Sequence, residues 1–174
     1  MTGDPSAWAL RAIDVLQEVG SWTGRIHIHK LLYLSNALCG TNAPFEFDLY
    51  RYGPYSFDLD ALLRDLTVCD LAKPVYRHPG YGPSYQVEGN WIDAVSTDVP
   101  AADLAKMRRL AAQMGQMPGG DLEVLATLLW FEHKEKESDP NRIVSKVREV
   151  KPRYTEEFIR SKQVTLAELR KQVA

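Results

Sequence analysis

The sequence predicts a mainly α fold: a winged-helix-like helical domain with a small β-hairpin and a helical C-terminal half. Three observations predict it. Apolar residues recur at helical spacing along much of the 174-residue chain. Two short runs, from Lys73 to Arg77 and from Tyr85 to Glu88, flank the Pro/Gly loop HPGYGPS as the arms of a hairpin would. Beyond Ala101 the chain reads as amphipathic stretches separated by Pro and Gly breaks.

The elements follow in order. Asp4 or Ser6 caps a first helix, Pro5 suits its first turn, and Trp8, Ala9, Ala12, Ile13 and Leu16 recur along it until Gly20. The second helix starts near Arg25 or Ile26. It carries Ile28, Leu31, Leu32, Ser35, Leu38 and Cys39 on one face and stops at Gly40. Phe45, Phe47 and Leu49 alternate with Glu46, Asp48 and Tyr50, which predicts a half-buried strand broken by Gly53-Pro54. A third helix is expected from Ser56 to Leu66. Leu59, Leu62, Leu63 and Leu66 form its buried stripe, and Asp58, Asp60, Arg64 and Asp65 face water.

After the hairpin, the segment from Trp91 to Pro100 is expected to be irregular. Helices then span Ala101 to Met114 and Asp121 to near Glu135, separated by MGQMPGG. Asp139-Pro140 caps a short helix carrying Ile143, Val144 and Val147. Thr155 caps another, and Thr165 to Glu168 has the spacing of a capping box that opens a last one. The whole chain, 1–174, reads as one domain: a helical core with a β-hairpin wing over 1–100, and a helical extension over 101–174 packed on it.

Apolar residues make up 45% of the chain, enough for a substantial core, and 21 basic against 23 acidic residues give a net charge of -2. That balance does not point to nucleic acid. The charge is uneven: residues 1–100 hold 7 basic and 12 acidic groups, and residues 101–174 hold 14 and 11. Cys39 and Cys69 fall at apolar positions of expected helices, as reduced packing residues. The opening MTGDPSAW has no basic or apolar leader, and no apolar run approaches the ~18 residues of a membrane span. The expected location is the cytoplasm, with no membrane association.

Enzyme chemistry is not expected. There is no Gly-rich phosphate loop, no G-x-S-x-G and no H-E-x-x-H. His27 and His29 invite a metal, but two residues apart on a helix they lie about 200° around the axis and cannot share one. Cys39 sits at the negative end of its helix, a poor place to activate a thiolate. No cofactor or metal is expected.

What remains is surface chemistry. Tyr50, Arg51, Tyr52 and Tyr55 form a polar-aromatic cluster of the residue types that dominate interface hot spots, and the hairpin adds Tyr76, Arg77 and Tyr81. Arg142, Lys146, Arg148, Lys151 and Arg153 form the one basic patch, a candidate contact for an acidic partner or nucleic acid. The acidic third helix would repel phosphates.

The segments KLLYLSNALCG and FDLYRYGPYSFDLDALLRDL resemble the Panacea domain of SocA-like antitoxins, and more nearly the YwgA-like proteins. The shared pattern is Lys30 to Leu34, an aromatic strand over Phe45 to Tyr52, Tyr-Gly-Pro-Tyr-Ser at Tyr52 to Ser56, and the Leu-rich helix after it. LATLLWFEHKE and VSKVREVKPRYTEEFI are similar to the back half of YwgA-like proteins. The resemblance implies a non-enzymatic module that binds a partner protein, a toxin or a defence component. The alternative expectation is a winged-helix nucleic-acid-binding regulator that uses the hairpin and the basic C-terminal half.

Overall fold

The computed structural model describes residues 3–88, 90 and 99–174. The fold is mainly helical, with two small antiparallel hairpins among the described residues. Most of the expected irregular segment from Trp91 to Pro100 lies outside the described residues.

Helix α1 spans Pro5–Glu18, with the Asp4 carboxylate accepting from the Ser6 N–H and Pro5 in the first turn. Helix α2 spans Arg25–Cys39 and ends at Gly40, whose φ of 64° closes the helix in the left-handed conformation. From His27 to Ser35 every residue of α2 is buried, so it runs through the centre instead of showing one apolar face.

The expected strand is shorter and later. Phe45 and Phe47 are buried in irregular backbone, and β1 covers only Asp48–Tyr50. Gly53-Pro54 does not break the sheet. It begins β2, Gly53–Tyr55, which pairs back on β1 with Leu49 opposite Pro54. Gly53 has a φ of 84°, which lets a short turn at Arg51-Tyr52 reverse the chain. Helix α3 follows at Phe57–Val68, capped by the Ser56 hydroxyl, which accepts from the Leu59 N–H.

The second hairpin is the expected one, β3 at Lys73–Val75 and β4 at Ser84–Gln86. It is tied to the start of α2 by the Tyr85 N–H donating to Thr23 O, and to α1 by the Val87 N–H donating to the Gln17 side chain at 2.7 Å. Helix α4 spans Ala101–Met114.

Helix α5 covers Gly119–His133 and is buried around almost its whole circumference from Leu122 to Phe131. It packs against α2, β2 and the two last helices, α6 at Pro140–Val150 and α7 at Glu156–Val173. The capping box read at Thr165 opens no new helix, because α7 runs through it without a break. The Thr165 hydroxyl donates instead to the Ser161 carbonyl one turn back.

Asp60 and Cys69 differ from the sequence expectation. Asp60 is buried rather than water-facing. It lies in the first turn of α3, where the helix dipole favours a carboxylate, and pairs with Arg25 at 3.2 Å and with Arg64. Cys69 is the exposed C-cap of α3, not a packing residue, whereas Cys39, half-buried at the end of α2, packs against the core as expected. No helix among the described residues is long and apolar enough to cross a membrane.

Candidate partner-binding surface

Two charges sit where the sequence is otherwise apolar: Lys30 within IHKLLYL and Glu123 within LEVLATLLW. Both are almost fully buried. A buried charge is costly unless paired and hydrogen-bonded, so each needs partners. The chain supplies them from the first hairpin and from the connection between α6 and α7.

Lys30 Nζ donates to Pro54 O at 2.8 Å. Lys151 Nζ, also buried, lies 3.1 Å from Glu123 Oε1 and donates to Tyr50 O at 2.9 Å and to Arg51 O. Arg153 pairs with the other carboxylate oxygen of Glu123, which also accepts from the Tyr154 hydroxyl at 3.0 Å. Two lysines from elements far apart in sequence therefore hold three carbonyls of the Tyr50–Pro54 turn. Burial pushes the Lys30 ammonium down to about 7, against the pull of Glu123, and lowers Lys151 as well.

Gly53 is wedged into this contact. A Cβ there would lie 2.9 Å from Thr127 Oγ1 and 3.1 Å from Glu123 O on α5. The close approach of hairpin to helix therefore requires glycine for space as well as for φ.

A second anchor lies at the far end of the hairpin. The Tyr55 ring stacks on His29 at 4.2 Å and 7°. The two nitrogens of His29 lie 2.8 Å from Arg25 O and 3.1 Å from Ser56 O, and burial pushes its imidazole down to about 4. Burial, with Asp60 adding to it, raises Tyr55 to about 12. His27 turns elsewhere, to Met117 O at 2.9 Å, so the two histidines do not converge. Among the described residues no group of His, Cys, Asp and Glu could hold a metal ion.

On this base sits an exposed aromatic surface. Tyr50, Tyr52 and Phe57 are each about half exposed, at 45%, 46% and 56%. Phe57 meets Tyr50 and Tyr55 edge-on, each at 5.2 Å. Tyr52 faces Arg153, whose guanidinium lies 5.5 Å from its ring and 5.0 Å from the ring of Tyr154. An open groove of about 510 Å³ lies beside the turn, lined by Leu49, Tyr50, Arg51 and Tyr52 on one side and Val150, Lys151 and Arg153 on the other.

The other sequence-derived candidates fall into separate groups. Tyr76, Arg77 and Tyr81 lie at the exposed end of the β3–β4 hairpin, where Tyr76 and Tyr81 are about three-quarters exposed. The basic patch divides. Arg142 lies 3.8 Å from Asp139, Lys146 2.6 Å from Glu135, and Arg148 3.5 Å from Glu156. Lys151 is not on the surface at all, because Glu123 and the turn carbonyls draw it inward.

Sequence reasoning found the turn but missed Phe57, Val150, Lys30, Glu123 and Tyr154. A lone charge inside an otherwise apolar helix was the available signal for Lys30 and Glu123. Phe57 gave none, since an apolar residue opening a helix is ordinarily core. No family model matches the chain, and no curated protein does.

Proposed function

We propose that the protein is a non-enzymatic protein-binding module that acts in the cytoplasm by holding a partner protein at the aromatic turn from Tyr50 to Tyr55, with Phe57. One observation carries this reading: Tyr50 and Tyr52 are exposed on a turn whose backbone is fixed by two buried lysines, with Phe57 exposed beside them at the start of α3. Tyr and Arg on a preorganised surface are the usual anchors of protein interfaces, because little ordering entropy is lost on binding. The resemblance to SocA-like antitoxins and YwgA-like proteins makes a toxin or a defence component the expected class of partner. The mechanism is steric occupation by the turn, and it needs no chemistry from the chain.

A nucleic-acid reading draws less support. It needs unpaired cations, yet Arg142, Lys146 and Arg148 each face a carboxylate, and α3 carries Asp58 and Asp65 on its exposed side.

The test is crosslinking and pull-down from the native host. A partner recovered by the wild-type chain should be lost with Tyr52→Ala plus Phe57→Ala, with the far-ultraviolet circular dichroism unchanged. Arg77→Ala, on the other hairpin, shows whether that surface takes part. Recovery of the same partner by the double variant overturns the reading.

A further inference from the structure

The groove beside the turn has an excess of positive charge. Three basic residues line it, Arg51, Lys151 and Arg153, and one carboxylate, Glu123, pairs with the last two. Arg51, at the rim, makes no side-chain ion pair or hydrogen bond among the described residues. The charged groups at the groove therefore balance to positive on a chain whose net charge is -2. Its walls are not polar throughout: Val150, Tyr50 and Tyr52 line it, each nearly half exposed.

We infer that the groove takes an acidic, apolar-flanked peptide segment of the partner, with a carboxylate against Arg51 and Arg153 and an aromatic or aliphatic neighbour between Tyr50 and Val150. The inference rests on the protein-binding reading above and names the chemistry of its partner. Charge complementarity carries it. Arg153 is half exposed although it pairs with Glu123, and its guanidinium lies 5.5 Å from the Tyr52 ring and 5.0 Å from the Tyr154 ring. A guanidinium already held by a carboxylate and two rings can donate to a second carboxylate with little further loss of side-chain freedom. Arg51 is free to close over the segment from the opposite side. The aromatic walls take the flanking apolar side chain, so acidity alone is insufficient for recognition.

The test is a display selection of random twelve-residue peptides on the full-length protein, followed by fluorescence anisotropy with the most enriched labelled peptide. Arg51→Glu is the diagnostic variant because the Arg51 side chain makes no hydrogen bond or ion pair among the described residues, and its carbonyl, which accepts from Lys151, is kept. The expected result is enrichment of Asp or Glu beside an aromatic or aliphatic residue, with affinity lowered about tenfold or more by Arg51→Glu and weakened by added salt. Enriched peptides without acidic residues, or binding that Arg51→Glu leaves unchanged, overturn the inference. If those same peptides are lost on Tyr52→Ala plus Phe57→Ala, the protein-binding reading survives alone. If they ignore every variant, both fall. A labelled single-stranded oligonucleotide is the control: binding of it that Arg51→Glu abolishes, with no acidic peptides selected, assigns the groove to nucleic acid instead.

Discussion

The Lys151 ammonium donates to the carbonyl oxygen of Tyr50 at 2.9 Å, joining residues 101 positions apart. This bond makes the aromatic turn a fixed feature of the surface. The same ammonium pairs with Glu123 inside α5, so the turn, the central helix and the α6–α7 connection share one buried cluster.

Lys151→Met should therefore be costly. It removes two hydrogen bonds to the turn and one of the cations paired with Glu123. Breaking a buried pair from one side typically costs about 3–5 kcal/mol. Urea denaturation should show a loss of that order. A loss under about 1 kcal/mol, the range of exposed pairs, would show that the cluster is effectively solvated.

Gly53→Ala separates space from backbone conformation. The φ of 84° alone costs an L-residue roughly 1–2 kcal/mol, and the contacts with Thr127 Oγ1 and Glu123 O add to it. Adding Thr127→Ala should restore only part of the stability, because the Glu123 contact is backbone and the φ is unchanged. Full recovery in the double variant would show that the side-chain contact is the whole effect.

Stability should depend on pH through Lys30. The ammonium holds its proton to about 7 in the fold, against an ordinary lysine value of 10.5. Between those values the unfolded chain binds more protons than the native one, so stability rises with pH. Below pH 7 this contribution is lost and the dependence on Lys30 is flat. Tyr55, held protonated to about 12 in the fold against an ordinary 10, acts in the opposite direction above pH 10. The window is therefore pH 7 to 10, where Lys151, also lowered by burial, acts in the same direction, so the comparison with a variant isolates Lys30. Denaturation midpoints across it should rise in the wild-type chain more than in Lys30→Met. Parallel slopes would mean that Lys30 is charged and well solvated in the native state.

Much of this fold is legible in the sequence. Asp4, Ser56, Asp139 and Thr155 each cap a helix as their residue types suggest, and α4 spans the expected Ala101–Met114. The failures have physical causes. The two-residue turn at Arg51-Tyr52 carries no glycine of its own; the enabling glycine is Gly53, which read as a strand breaker. Asp60 has the spacing of a surface residue, and only the arrival of Arg25 from α2 buries it. Lys151 belongs by sequence to a basic run, yet its partner, Glu123, lies 28 residues away on another helix. Local pattern identifies elements, but long-range charge pairing depends on how they dock.

Phe57 offers the sharpest separation of surface from core. It is 56% exposed, at the first position of α3, touching Tyr50 and Tyr55 only by ring edges. Edge contacts of this kind contribute about 0.5–1.5 kcal/mol each beyond area burial, and less where water reaches both rings. Phe57→Ala should lower stability by no more than about 1 kcal/mol, while Leu59→Ala, fully buried two residues on, should cost about 2–5 kcal/mol. If Phe57 is an interface anchor, its removal should weaken partner binding at least about thirtyfold, the 2 kcal/mol expected of a hot spot. Co-titration of the two variants against the same partner decides the matter. Leu59→Ala should change binding only in proportion to the unfolded fraction, and Phe57→Ala should change it with the fold intact. Equal binding by Phe57→Ala and the wild-type chain would remove Phe57 from the interface and confine the contact to Tyr50, Tyr52 and the groove.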